Sequence, residues 1–539
     1  MKRPGAPAFY PILIALLGLA AYSGTFHVPF LFDDLGAVKD NPVVENLGNF
    51  LPGGSGYRTY PLRYAGYLSF ALCFRLFGQN VAGYHAVNLA IHVANALLVY
   101  LLVVLTFRTR RMEGSAIAPH ADKAALLAGA LFAVHPIETQ AVTYIVQRLT
   151  SLAALCYLGS LVLYIAARMR FDKTGASGVK VYAPYLGSLI LALLAMKTKE
   201  MAFTLPFAVL LYELSFLGGT WKTRLVFLVP MLLTLPVVPL GLSSMGVPPG
   251  EALSDFRRAA GAPYSVHDYF ATELRVVTTY LRLLIFPAGQ RLDYDYPIYR
   301  SLFGTRVLSA SLLLSSMLAA AFYMRRRAKR GGDPALLLIS FGVLWFFLTL
   351  SLESSFIPIP DVIFEHRAYL PSAGIFIAVS AAGFLAARGV PRCRRAFAFA
   401  AICVVAALTA ATLARNAVWT DELRFWRDNA DKSPHKARPL VNLGREYALR
   451  GDTSDARACL EEAVRMEPGK SEEAYENLAN VYAVTGEPRK AVEMNIEALR
   501  INPKSATARR NLVLNYVDLK DYASAMRAFA TLTSLFDKK

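Results

Sequence analysis

The sequence predicts an all-α, polytopic membrane protein of about eleven transmembrane helices, followed by a C-terminal tetratricopeptide α-solenoid. Three observations carry that prediction. Of 539 residues, 55% are apolar or aromatic and only 18% are charged, against ~25% charged in soluble domains. Apolar runs long enough to cross ~30 Å of hydrocarbon recur through residues 1–415. Beyond Arg415 the composition turns polar and a repeat appears.

The same numbers exclude a string of soluble domains and exclude disorder, since mean hydropathy is +0.38. The 57 Lys and Arg against 39 Asp and Glu give a net charge of +18. In a membrane protein that excess reads as loop anchoring and lipid-phosphate contact, and no nucleic-acid partner is expected. Five scattered cysteines without a CxxC pair imply neither a zinc site nor a disulfide framework.

The apolar runs fall near 8–24, 84–106, 123–141, 149–167, 182–196, 201–219, 224–243, 303–324, 335–352, 369–387 and 396–414. The first resembles a signal peptide. No small-residue cleavage pattern follows it, however, and ten further runs do, so it is read as the first span. Basic clusters set the orientation. Lys2/Arg3, Arg108/Arg110/Arg111, Arg168/Arg170/Lys173, Lys222/Arg224, Arg325/Arg326/Arg327/Lys329/Arg330 and Arg388/Arg392/Arg394/Arg395 all fall on the N-terminal, cytoplasmic side if eleven spans cross. Residues 272–287 would upset that parity and are read as a helix lying on or dipping into the outer face. Residues 62–77, aromatic-rich and flanked by Arg63 and Arg75, are read the same way.

Three domains follow: a transmembrane domain over 1–415, a junction over 416–435 and a repeat domain over 436–539. In the last, Asn442-Leu443-Gly444, Asn477-Leu478-Ala479 and Asn511-Leu512-Val513 are spaced by 35 and then 34 residues. Ala456, Ala491 and Ala525 keep that spacing, and so do Pro468 and Pro503. A period of ~34 built from two helices is the tetratricopeptide signature. About three repeats are expected, the third ending in FDKK as a cap. Such solenoids bind peptides or brace partners, so a protein partner or acceptor is expected there. Odd parity puts the tail outside the cytoplasm.

Polar groups cluster on the same outer side. Asp33-Asp34 follows the first span, His135-Pro136-Ile137-Glu138 closes the third, and Gln147-Arg148 opens the fourth. Lys199-Glu200 lies between the fifth and sixth, and Glu365-His366-Arg367 opens the tenth. Each alone has a plain structural reading. The acid pair can be a solvated helix exit, His135 a helix-end hydrogen bonder, and Lys199-Glu200 a self-neutralising pair. Together they describe a polar site at one membrane face. Acids with arginines suit transfer of a sugar carried on a lipid phosphate. An arginine fork, Arg367 above all, holds the phosphate, and a carboxylate takes the proton of the attacking hydroxyl. A single displacement of this kind inverts the anomeric centre. No cofactor is required, and a divalent metal is optional because the lipid phosphate already leaves well.

The chain resembles the transmembrane and tetratricopeptide-repeat O-mannosyltransferase family, and more closely its bacterial relatives among the GT-C glycosyltransferases. The resemblance runs nearly end to end. It rests on FDDLGAVKDNPVV, YRTYPLRYAGYLSFAL, HAVNLAIHVANALLVYLL and LFAVHPIETQAVTYIVQRLTSLAALCYL. MKTKEMAFTLP, LRLLIFPAGQRLDYDYP, HRAYLPSAG and the junction RNAVWTDELRFWRDNADKSPHKARPLVNLG complete it. It implies a polyprenyl-phosphate-linked sugar, mannose or similar, a Ser/Thr hydroxyl of an extracytoplasmic protein or a glycan end as acceptor, and Asp33 or Asp34 as base. The implied donor-phosphate and substrate residues are Arg367, His366, Glu365, Arg58, Arg63, His135, Glu138, Arg148, Lys199 and Glu200. Two departures stand out. The acid of the HP motif usually stands two residues later, where this chain has Gln140, and the arginine of a Tyr-Arg-Pro-Leu pattern is displaced among Arg58 and Arg63.

Two other function classes compete. A non-catalytic scaffold recruiting envelope or secretory partners would not need acids matched by arginines on one face. A flippase should carry charges through mid-membrane. The short outer loops favour a bacterial inner membrane with a periplasmic tail, the endoplasmic reticulum being the eukaryotic equivalent.

Overall fold

The computed structural model describes residues 9–175, 178–244 and 264–533. Lys2, Arg3 and the closing Phe536–Lys539 lie outside the described residues. Among the described residues every regular element is helical. The chain divides into two compact units, one of Met1–Gln290 with Tyr296–Ala417, the other of Arg291–Asp295 with Val418–Lys539.

The first unit runs α1 (Phe9–Ala21), α2 (Tyr64–Phe77), α3 (Val81–Phe107), α4 (Ala121–Val134), α5 (Arg148–Thr174), α6 (Val179–Met196) and α7 (Leu205–Phe216). It continues with α8 (Trp221–Leu232), α9 (Val237–Ser243), α10 (Val266–Ile285), α11 (Thr305–Lys329), α12 (Ala335–Leu350), α13 (Tyr369–Ala386) and α14 (Pro391–Trp419). A helix stands at each of the eleven predicted runs. Seven among the described residues are long and apolar enough to cross a membrane, eight with the bent pair Ala118–Val134 and Pro136–Val142. Helices α1, α7 and α12 are shorter, at 13, 12 and 16 residues.

The bend of 49° has a local cause. Pro136 disfavours helical backbone at the residue before it, and His135 is extended (φ −75°, ψ 131°). Its ring caps the next turn, Nδ1 accepting from the Ile137 amide at 3.2 Å.

Helices α3, α4, α5 and α13 pack against one another at the centre. The most apolar window of Ile145–Thr174 is 78% buried, whereas that of Pro391–Trp419 is 6% buried. Helix α14 therefore offers its side chains, Phe399 and Ile402 among them, to lipid. Helices α12 and α13 cross where both lack a Cβ. One built on Gly342 would lie 2.2 Å from the Gly374 carbonyl oxygen, and one on Gly374 2.4 Å from that of Gly342. Small residues allow such close approach in lipid, where dispersion between backbones replaces the hydrophobic drive.

One end of this unit is basic. Arg111, Arg224, Arg325 and Lys329 lie within electrostatic reach of one another. Arg388 pairs with Asp333 at 2.8 Å. Arg168, expected to anchor a loop, is instead fully buried. Its Nη2 meets Glu213 Oε1 at 2.8 Å and its Nε meets Oε2 at 3.3 Å, and the Tyr164 hydroxyl donates to that second oxygen at 2.9 Å.

Helix α10 covers the expected surface segment but begins at Val266, where the Ser265 hydroxyl accepts from the Asp268 amide at 3.0 Å. It is not among the helices apolar enough to span. Tyr269, Glu273, Val276, Val277, Tyr280 and Leu284 form its buried face. The Tyr269 and Tyr280 hydroxyls donate to the carbonyls of Glu353 (3.0 Å) and Phe364 (2.9 Å), holding the loop ahead of α13.

In the second unit α15 (Glu422–Lys432) packs on the first of three helical hairpins. These are α16 (Ala437–Leu449) with α17 (Thr453–Met466), α18 (Glu472–Val484) with α19 (Pro488–Ile501), and α20 (Ala506–Asp518) with α21 (Tyr522–Thr533). The repeated small residues sit at the hairpin crossings, Ala456 and Ala491 being fully buried. The segment Arg291–Asp295 belongs here. Asn429 Oδ1 accepts from the amides of Leu292 (2.8 Å) and Asp293 (3.2 Å), and Asp293 holds Arg438 through two hydrogen bonds of 2.5 and 2.7 Å.

Candidate active site

The acid pair is divided by the backbone. Phe32 adopts φ +49°, a left-handed conformation that costs a non-glycine residue on the order of 1–2 kcal/mol. Asp34 is buried, its Oδ2 accepting from the Leu31 amide at 3.1 Å and its Oδ1 from the Val146 amide at 2.7 Å. Burial pushes its carboxyl up to about 8, the backbone N–H groups working against the rise. Asp33 is exposed. Its amide donates to the Tyr144 hydroxyl at 3.0 Å, and the same phenol also engages the Asp33 side chain, so Tyr144 holds the loop at this acid.

Next to the pair lies a bank of alternating charges. Tyr67 lies within electrostatic reach of Asp33 and of the Arg63–Glu200 pair. Arg63 grips Glu200 through Nε (3.0 Å) and Nη2 (3.3 Å). Burial alone would raise the Glu200 carboxyl, but the Arg63 guanidinium holds it below the ordinary carboxylate range. Lys199 meets Glu353 at 2.9 Å and the Thr150 hydroxyl at 2.9 Å. Lys199-Glu200 is therefore no self-neutralising pair, since each finds its partner far along the chain. Arg58 is exposed on the short helix Gly56–Thr59.

Arg367 is a correction. Expected to fork a phosphate, it is buried and donates to the carbonyls of Val362 (3.0 Å) and Asp361 (2.7 Å). A guanidinium taken out of water needs acceptors, and the loop supplies them from its own backbone. Glu273 faces the same charge. Burial pushes its carboxyl up to about 8, the Arg367 charge opposing, and Ser354 and Tyr269 lie beside it. His366 stacks on Phe364 and its amide donates to Gln140 Oε1 at 3.2 Å. Glu365 accepts from the Gln290 amide at 2.6 Å.

Arg148 is a second correction. It is fully buried and donates to Asn88 Oδ1 (2.6 Å), the Ser69 carbonyl (3.2 Å), Cys73 Sγ (3.0 Å) and the Tyr84 carbonyl (3.0 Å). Its guanidinium also lies 4.7 Å over the Phe70 ring. It ties α2, α3 and α5 together and has no fork to offer a ligand. His135 is likewise buried and structural, its Nε2 donating to the Leu284 carbonyl at 3.1 Å. Glu138 is fully buried with neither carboxyl oxygen in a hydrogen bond of good geometry, so it lies apart from the accessible face.

The structure thus gathers Asp33, Asp34, Arg63, Lys199 and Glu200, and adds Glu273, Glu353, Tyr67, Tyr144 and Lys197. Lys197 was legible in MKTKE beside the two residues chosen there. Glu273 and Glu353 carried no local signal. Among the described residues no three His, Cys, Asp or Glu side chains group as a metal site would need.

A tetratricopeptide-repeat family model matches residues 437–470, the first hairpin. Against characterised proteins, the chain is 23% identical to a protein O-mannosyl-transferase of Caenorhabditis elegans over 481 residues, 85% of this chain and 62% of that protein. It is 27% identical to human protein O-mannosyl-transferase TMTC4 over 213 residues, 37% of this chain and 28% of that one. The chain therefore spans less than two thirds of these relatives' own length. A crystal structure of ArnT from Cupriavidus metallidurans bound to undecaprenyl phosphate aligns over 93% of this chain and 81% of that one, at 14% identity and a TM-score of 0.38. By its sequence, then, the chain is similar to protein O-mannosyl-transferases over most of its own length, and its residues 437–470 match a tetratricopeptide repeat.

Proposed function

We propose that the protein is an integral-membrane glycosyltransferase that moves a monosaccharide, mannose or similar, from a polyprenyl-phosphate donor to a Ser/Thr hydroxyl of an extracytoplasmic protein. The observation that carries this reading is the split acid pair, one carboxyl group buried on backbone amides and its neighbour exposed, with Tyr67 in electrostatic reach of both that neighbour and Arg63. The relatives' names support the reaction class.

In this reading Asp33 is the base. The acceptor oxygen attacks the anomeric carbon and its proton passes to the Asp33 carboxylate. The bond from that carbon to the donor's phosphate oxygen breaks, its electron pair leaving with polyprenyl phosphate. One displacement inverts the centre. Asp34 fixes the loop through Leu31 and Val146, and Arg63 and Lys199, each held by an acid, set the field across the face. In this reading the basic end of the first unit faces the cytoplasm and the acid pair faces away from it. A divalent metal remains optional.

The test is transfer from a synthetic polyprenyl-phosphate mannose to a Ser/Thr peptide by the purified full-length protein. Wild type should form product and Asp33→Asn should not. Absence of any transfer across several sugars by a well-folded protein would put the scaffold reading ahead. A reporter fused after Thr533 that is active only in the cytoplasm would overturn the sidedness.

A further inference from the structure

Lys197 stands at the end of α6, in the same segment as Lys199 and Glu200. Its surroundings differ from theirs. Its Nζ donates to the Tyr57 hydroxyl at 3.0 Å and the Pro61 carbonyl at 3.0 Å, and lies 4.9 Å from the Tyr57 ring centroid. All of these partners are neutral. Among the described residues no carboxylate lies within ion-pair distance of it, whereas Arg63 has Glu200 and Lys199 has Glu353. An ammonium carries three donors, and two are used. A half-buried cation with one free donor and an uncompensated charge calls for an anion.

Its position says which anion. Helix α6 exposes Tyr182 (50%), Leu186 (59%), Ile190 (50%), Leu193 and Leu194 (each 42%). At 3.6 residues per turn those positions form one stripe along the helix, and the next position on it is 197. A lipid-facing apolar stripe thus ends in a lysine at the depth where a headgroup phosphate lies. The segment also joins the site, because the Ala65 amide donates to the Lys197 carbonyl at 2.9 Å and Arg63 precedes it by two residues.

We propose that Lys197 is the docking cation for the phosphate of a polyprenyl-phosphate lipid, with the prenyl chain lying along Tyr182, Leu186, Ile190 and Leu194. The phosphodiester of a lipid-linked sugar carries one negative charge, matching the single charge of the Lys197 ammonium. This assignment rests on the glycosyltransferase reading for the sugar, but not for the lipid phosphate itself.

Binding is therefore measured without turnover, on full-length protein in phosphatidylcholine nanodiscs with polyprenyl phosphate as the probe. Lys197→Met should weaken binding by about tenfold or more, the worth of a charge-assisted hydrogen bond, and Lys197→Arg should stay within about threefold of wild type. Ile190→Gln, remote from the charge, should also weaken polyprenyl phosphate while leaving a short-chain, water-soluble prenyl phosphate unchanged. Inorganic phosphate should compete poorly. Wild-type affinity in Lys197→Met overturns the assignment. An equal loss for phosphatidylglycerol overturns it too, since it would make Lys197 a general headgroup anchor, and strong competition by inorganic phosphate would make the site one for free phosphate. A protein that binds as expected yet transfers no sugar would leave Lys197 assigned and refute the proposed function alone.

Discussion

Replacing the two adjacent acids separately should give two different kinds of damage. Asp34 accepts two backbone N–H bonds, one on each oxygen, from Leu31 (3.1 Å) and Val146 (2.7 Å). Asp34→Asn leaves one acceptor and turns an NH2 towards the other amide. One buried N–H then loses its partner, at about 1–3 kcal/mol. The loop already stores the left-handed Phe32, so the loss falls on a segment with little to spare, and the melting temperature in detergent should drop. Asp33 is exposed, and its carboxamide variant can still accept from the Tyr144 hydroxyl beside it. Asp33→Asn should leave melting unchanged and lower kcat by ~10²–10⁴-fold, the usual worth of a positioned base. The pH dependence separates them further. The folded-state pKa of Asp34 is raised from 3.8 to about 8, so the folded state holds its proton more tightly than the unfolded chain. Its contribution to stability is present at low pH and is lost as pH rises through about 8, and Asp34→Asn should lack that decline. The assay is thermal unfolding between pH 5 and 9 beside single-turnover kinetics for both variants. If Asp33→Asn kept more than about a tenth of wild-type turnover, far less loss than a base should cause, or if Asp34→Asn melted like wild type, the division of roles would be refuted.

Other expectations follow from packing and charge. Arg168→Met should cost roughly 3–5 kcal/mol by stranding a buried carboxylate, and Arg168→Met with Glu213→Leu should recover much of it, measured by denaturant unfolding in micelles. Gly374→Ala should lower the melting temperature sharply, because its Cβ would fall 2.4 Å from the Gly342 carbonyl oxygen. Retention of wild-type stability would mean that α12 and α13 can separate without cost. Arg367→Ala should lower stability and kcat together and leave polyprenyl-phosphate binding close to wild type, since its donors serve the carbonyls of Asp361 and Val362. A selective loss of donor binding in that variant would restore it to the phosphate.

Hydropathy and periodicity are local properties of the chain, and what rests on them was legible in the sequence. The eleven apolar runs each became a helix, residues 272–287 became part of an amphipathic helix instead of a span, and the 34-residue spacing became three hairpins. The acids and cations were legible as a set, because charged residues flanking apolar runs collect at membrane faces. Their partners were not. Arg63 reaches Glu200, Lys199 reaches Glu353, and Arg148 reaches Asn88, Ser69 and Tyr84. Such pairings span tens to more than a hundred residues and depend on which helices become neighbours. No local pattern encodes that choice, since several arginines are interchangeable by composition. Close packing then decides which guanidinium is consumed by carbonyls and which ammonium keeps a free charge. The same holds for Asp33 and Asp34. They are identical in chemistry and adjacent in sequence, and the turn at Phe32 with the amide of Val146 makes one a buried strut while its neighbour is exposed beside Tyr144.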